Sequence, residues 1–228
     1  MESNEQVRPE ELSFEDGAYL VRLARRSVEH HLKHKTPIDV RREASPRLMR
    51  KGAAFVTINT FHTPSYRELR GCIGFIAPIK SLAETVATVA LDAAFRDPRF
   101  PPLNENELDY VTFEVTVLGP LEALPQDPRG RAKAITIGVH GLLVRRGLYQ
   151  GVLLPEVPVE YLWDAETFLA ETCVKAGLDP SCWLDPRTEV YRFTARTWRE
   201  KTPRGEIEER DLRREYREAL MRYANSED

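Results

Sequence analysis

Apolar side chains return at Leu20, Ala24, Val28 and Leu32, every fourth position within residues 14–34. That spacing predicts a helix carrying one apolar stripe. Residues 35–51 hold two prolines and a cluster of basic side chains, the pattern of a loop with room for one helical turn. The β-branched and aromatic run "AAFVTIN" then predicts a buried strand. It is joined through "TFHTPSYRE" to a second strand, "LRGCIGF", in antiparallel pairing.

Ser81 and Glu84 form the S-x-x-E signature of a helix start, and Leu82, Val86, Val89, Ala90 and Ala93 supply its apolar face. Pro98 biases Asp97 away from helical angles and ends this helix. In "YVTFEVTVL", Val111, Phe113, Val115 and Val117 alternate with Thr112, Glu114 and Thr116, the pattern of a half-buried strand. "AITIGVHGLLVRRGLYQGVLLP" predicts further strands, with a hairpin turn at Gly147. Asp164 caps a predicted helix that runs to Ala176 and stops at Gly177; "EVYRFTARTW" is the last strand. Residues 206–224 read as a charged helix with Glu206/Arg210, Glu209/Arg213 and Glu218/Arg222 as i,i+4 pairs. Leu212, Tyr216, Leu220 and Tyr223 make its narrow apolar stripe. Helices mixed with alternating strands and hairpins define an α+β chain, antiparallel sheets with packed helices.

Within "LRGCIGF" a regular strand would turn Leu69, Ile73 and Phe75 to the core and Arg70, Cys72 and Gly74 to the other face. A bulge at either glycine would change that register. Each glycine costs a strand roughly 0.5–1 kcal/mol relative to alanine, so Gly71 and Gly74 make room for something. Two readings stay open. A ligand could approach the backbone beside a Cys72 thiol activated by Arg70. Alternatively Cys72 is a small buried hydrophobe and the glycines admit a packed helix.

Composition narrows the class. The 228 residues are 42% hydrophobic and 30% charged with a net charge of −3, ordinary for a soluble globular protein. The balance gives no broad electrostatic case for nucleic acid or membrane, and no stretch approaches bilayer-crossing length. The opening "MESNEQVRPEEL" is polar and acidic, unlike a signal or transit peptide, so the expected location is the cytoplasm. Cys72, Cys173 and Cys182 cannot all pair and form no C-x-x-C, so neither a disulfide framework nor a structural zinc is expected.

Other candidate chemistry is scattered. His140, in "IGVHGLLV", is either a general base and thiol partner or a histidine bonded to neighbouring backbone. In "FRDPRF", Arg96 and Arg99 could grip a carboxylate or phosphate, or pair with Asp97 and fix the turn. Glu156 and Glu160 in "LLPEVPVE" are candidate acid–base carboxylates. His30 and His34 lie one helical turn apart without a third ligand nearby, and no metal site is assigned. P-loop, G-x-S-x-G, H-E-x-x-H and dinucleotide fingerprints are all missing, so no cofactor is implied.

The segments "GAAFVTI", "LRGCIGF", "AFRDPRFPPL", "IGVHGLLV", "GVLLPEV" and "FLAETCVKAGL" followed by a tryptophan occur in the order seen in the AMMECR domain family. The chain resembles that family, whose prokaryotic members are called AmmeMemoRadiSam system protein A, over about residues 52–200. The resemblance implies an α+β domain over 1–200 with two unequal, packed subdomains, the larger containing both chain ends. It places a cleft near "LRGCIG" and leaves 201–228 as a charged helical extension. The matching positions are Arg70, Gly71, Cys72, Gly74, Asp97, Arg99, Phe100, His140, Gly141, Pro155, Lys175, Gly177 and Trp183. Phe75 departs from a small polar residue and Glu156 from a glutamine. The resemblance implies association with Memo-like and radical SAM proteins, and a fold rather than an activity.

Two functions compete. One is a small-ligand or catalytic cleft centred on Cys72. There Arg70 and His140 activate the thiol, and Gly71, Gly74, Arg96, Asp97, Arg99 and Glu156 bind substrate. The other is a protein- or RNA-binding module using the basic loop Arg41–Lys51 and the C-terminal helix, which could also assemble a homo-oligomer.

Overall fold

The computed structural model describes residues 6–225. In chain order its first elements are α1 (Phe14–His34), β1 (Ala53–Thr63), β2 (Tyr66–Phe75), α2 (Leu82–Phe95), β3 (Val111–Leu118), β4 (Glu122–Ala123) and α3 (Pro128–Lys133). There follow β5 (His140–Arg146), β6 (Tyr149–Leu153), α4 (Glu156–Glu160), α5 (Ala165–Lys175), β7 (Glu189–Glu200), β8 (Ile207–Glu209) and α6 (Leu212–Ala224). The class is α+β with antiparallel strand pairing. The chain divides into two compact units, one holding residues up to Gly119 with Arg196–Arg210, the other Pro120–Ala195 with residues from Asp211 onward.

In the first unit the strands run β2-β1-β3-β7, with β8 paired to the C-terminal part of β7. Helices α1 and α2 cover one face of this sheet. Ser13 and Ser81 each close a capping box, with Asp16 and Glu84 respectively, which satisfies backbone donors that would otherwise be orphaned. Leu20, Ala24 and Val28 from α1 and Val86, Val89 and Ala90 from α2 meet Val56, Ile58, Phe113, Val115 and Trp198 from the strands. Arg25 is buried beside this core and fully used. Its Nε and one terminal nitrogen hold Glu200 at 2.6 Å each, and it also donates to the Leu108 and Val111 carbonyls. Glu200 accepts the Phe113 N–H in turn. A buried ion pair contributes when its remaining valences are met, as they are here.

Three expectations need correction in this unit. All eight residues of β3 are buried, not half of them; Glu114 and Thr116 find internal partners instead of water. Residues 207–209 form a strand against β7, and the last helix starts only after Asp211, whose carboxylate caps it. Glu206 and Glu209 therefore pair with Lys201 and Arg196. A charged run with 3.6-residue spacing cannot reveal an available strand edge. Third, Leu69 is 39% exposed rather than part of the core, because of a bulge described below.

The second unit centres on β5, flanked by β6 and the N-terminal part of β7, which also pairs with β4. Leu142, Val144 and Val190 pack against Phe168, Leu169 and Cys173 of α5. Buried Arg131 donates to the Pro125 and Thr188 carbonyls and to that of Trp183. Helix α6 docks in this unit through buried Leu212 and through the Tyr216 hydroxyl, which donates to the Trp163 carbonyl at 3.0 Å. Cys173 and Cys182 form a disulfide, against expectation. The turn after α5 folds back and brings together two cysteines nine residues apart, a closure that counting cysteines cannot show.

Closing so short a loop stabilises a fold by about 2–3 kcal/mol through the unfolded chain. Reduction, or Cys173→Ala with Cys182→Ala, is expected to lower the melting temperature by roughly 5–10 °C. Calorimetry with and without reductant checks this, and equal melting temperatures would contradict it.

Candidate functional site

The segment Leu69–Phe75 lies on β2, at the end of the strand order and next to β1 alone. Its register against β1 jumps once. Gly71 faces Ile58, Leu69 faces Asn59, and Arg70 is the extra residue. Such a bulge lets one side chain leave the alternation. Arg70 uses it to turn away from the thiol: its guanidinium binds Glu107 at 2.7 and 3.2 Å and the Pro101 carbonyl at 2.9 Å. The expectation that Arg70 shares a face with Cys72 therefore fails, and so does the placing of Leu69 with Ile73. Because of the bulge, Arg67, Leu69 and Cys72 lie opposite Phe61, Asn59 and Thr57, all on the sheet face away from the helices.

The glycines answer to the protein's own packing. A side-chain carbon at Gly71 would lie 2.2 Å from the Ala93 carbonyl oxygen of α2, and one at Gly74 would lie 2.1 Å from the Phe55 ring. The room is occupied by a helix on one face and an aromatic ring on the other.

Cys72 itself is held by both of its peptide groups. Its N–H donates to Asp97 Oδ2 at 2.9 Å, and its carbonyl accepts from the Arg99 guanidinium at 3.3 Å. These groups point outward from the sheet, so Cys72 and Thr57 form a non-hydrogen-bonded pair, the kind whose side chains come closest. The Thr57 hydroxyl accordingly donates to Cys72 Sγ at 3.3 Å. On its far side Thr57 lies opposite Glu114 of β3, giving one transverse row, Cys72–Thr57–Glu114. Glu114 is buried and bound by Arg210 at 3.3 Å. Buried Thr116 meets Thr197 of β7 at 3.1 Å. None of this row beyond Cys72 stood out in the sequence. The alternating Thr112, Glu114 and Thr116 of β3 hinted at a polar face, but only the register aligns them with Thr57 and Cys72.

Asp97 and Arg99 act as a clamp on the β2 edge. Arg99 donates to both Asp97 carboxylate oxygens, at 2.9 and 2.6 Å, and its own N–H also reaches Oδ1. The Arg99 guanidinium, followed by the Cys72 and Arg99 N–H groups, outweighs burial and holds the Asp97 carboxyl down at about 2. Arg99 is correspondingly raised, by Asp97 first. Both Arg99 and Arg70 lie over the Phe100 ring, at 5.4 and 5.9 Å. Arg96 stands apart, exposed and paired with Asp92.

The two remaining candidates belong to the second unit. His140 opens β5 with its Nδ1 accepting the Thr136 N–H at 2.9 Å. Burial first, then the Arg192 charge, lowers its pKa despite Glu122. The neutral ring consequently carries its proton on Nε2 and presents a donor there, which is not the arrangement of a general base. Glu156 is buried at the start of α4. In the basic loop, Arg41, Arg47 and Arg50 pair with Glu84, Asp16 and Glu11. Among the described residues no cluster of three or more His, Cys, Asp or Glu side chains could hold a metal ion. No helix among them is long and apolar enough to cross a membrane.

An antiparallel α+β protein with a thiol on a partly buried sheet face is the class these features define. The chain belongs to the AMMECR1 family, whose model matches residues 21–198. It is 50% identical over 196 residues to protein TK0174 of Thermococcus kodakarensis, covering 86% of this chain and 96% of that one. A protein of Aeropyrum pernix is 50% identical over 209 residues, covering 92% and 89%. The crystal structure of uncharacterized protein PH0010 from Pyrococcus horikoshii superposes with a TM-score of 0.85 at 47% identity, covering 88% of this chain and 98% of that one.

The depressed Asp97 carboxyl stabilises the fold fully above its ordinary value of 3.8, and the contribution disappears as pH falls towards about 2. The difference is of order 2 kcal/mol. Asp97→Asn is expected to lose a comparable amount at pH 7 and to flatten the acid limb of stability between pH 4 and 2, measured by urea unfolding. An unchanged acid limb would remove the clamp from this role.

Proposed function

We propose that the protein is a small-ligand-binding or catalytic protein whose reacting group is the Cys72 thiol. One observation carries the reading: Cys72 heads a cross-strand row of polar side chains, Cys72–Thr57–Glu114, running from a partly buried thiol to a buried carboxylate. A fold gains nothing in stability from threonine and glutamate there over well-packed apolar residues. The Thr57 hydroxyl and the nearby Arg99 guanidinium both favour a nucleophilic sulfur. Arg99, held by Asp97, takes the thiol-activating role first expected of Arg70. Memo-like and radical SAM proteins, which the family resemblance implies, are the first partners to assay.

With Cys173 and Cys182 bridged, Cys72 is the chain's remaining thiol, so alkylation of the unreduced protein reports on it alone. Iodoacetamide at pH 7 is expected to modify native Cys72 at least as fast as free cysteine. Asp97→Asn is expected to slow the reaction several-fold without abolishing folding. Modification only after unfolding would assign Cys72 to packing and reject the proposal.

A second reading has its own observation. Leu220, Met221 and Tyr223 are exposed on α6, which fits self-association through that helix. Leu220→Glu with Met221→Glu is then expected to reduce the mass measured by light scattering, and an unaltered mass would dismiss it.

A further inference from the structure

The sheet face that carries Cys72 also gathers arginines. Arg67 lies opposite Phe61 on β2 with its guanidinium 5.6 Å from that ring. Trp198 of β7 is in the core, so its neighbours Thr197 and Arg199 point to the opposite face. Arg210, whose N–H bonds the Thr197 carbonyl at 2.9 Å, reaches Glu114 on this same face. Glu208, facing Arg199 across β8, binds it at 2.7 Å. Among the described residues the guanidiniums of Arg67, Arg199 and Arg210 thus gather around Glu114 and Glu208.

Arg67 is the odd one out. Its terminal nitrogens donate to the Pro64 and Lys201 carbonyls at 2.7 and 2.8 Å. Its Nε is buried and meets no acceptor among the described residues. Burial and then the Arg199 charge disfavour the protonated form, with Glu114, Glu208 and Arg210 also within electrostatic reach. Buried donors of charged groups are nearly always satisfied, and an orphan marks a position that something else fills.

We infer that this face receives the oxyanion group, carboxylate or phosphate, of a small molecule between Arg67 and Arg199. An anion there would accept from Arg67 Nε and lie on the sheet face from which the Cys72 thiol projects. A guanidinium N–H gives a charge-assisted hydrogen bond to either kind of oxyanion. The inference deepens the function proposed above and rests on its assignment of this face as a ligand site.

Thermal unfolding of the full chain in inorganic phosphate and in malonate, against chloride at matched ionic strength, tests it. A specific anion is expected to raise the melting temperature by about 4 °C at ten times its dissociation constant. A rise with phosphate alone assigns a phosphate ligand; one with malonate assigns a carboxylate. The rise should vanish in Arg67→Gln and Arg199→Gln and persist in part in Arg67→Lys. Should Arg67→Gln misfold by circular dichroism, the other two variants carry the test. No rise with either anion, or an undiminished rise in Arg199→Gln, would overturn the inference. Alkylation of Cys72 in the same samples separates the two ideas. A rise with an unreactive thiol keeps the anion site and removes the thiol reading, and a reactive thiol without a rise does the reverse.

Discussion

One carboxylate governs the neighbourhood of the thiol. Asp97 takes the Cys72 N–H, the Arg99 N–H and the Arg99 guanidinium, so it joins the exit of α2 to the open edge of β2. Edge strands present unpaired peptide groups that invite association. Here the clamp supplies a substitute for a missing neighbour strand at one residue. The same contacts fix the backbone that aims the thiol at Thr57. Edge protection and side-chain placement are one interaction.

The first unit is layered unequally. Its helix side is a conventional apolar core, reinforced by Arg25 and Glu200, which tie α1, β3 and β7 together. Beside Phe55, Phe61 and Leu69, its other face carries threonine, cysteine, glutamate and arginine. Such groups need partners once removed from water, and the observed bonds between Thr116 and Thr197 and between Glu114 and Arg210 provide them. The apolar side makes the polar side tolerable. The two faces are thus held by different forces, apolar packing on one and hydrogen bonds with ion pairs on the other.

Much of the secondary structure was legible. The Ser81 capping box, the β3 strand, the Gly147 hairpin and the Asp164 cap lie where local pattern puts them. What local pattern could not carry is anything set by pairing between distant segments. The strand at 207–209 depends on a free edge of β7, the disulfide on how the chain turns after α5, and the burial of Glu114 on Arg210. The candidate site divides the same way. Cys72, Asp97 and Arg99 stood out by residue type, but their grouping, the exclusion of Arg70 and the inclusion of Thr57 follow from register. His140 was picked for the right reason, its placement in a core-like strand, yet the bond to Thr136 gives its ring the opposite hydrogen-bonding sense from a base.

The bulge at Arg70 has a consequence for how this segment can vary. It works as a phase shifter: the residues before it and after it sit in opposite alternation, and both phases matter. A sequence with one residue fewer between Arg67 and Cys72, composition otherwise the same, would either swing the cysteine towards α2 or carry Arg67 off the polar face. Substitution at Arg70 keeps the phase; deletion does not. The length of this stretch is therefore a structural property in its own right, apart from the identity of Arg70.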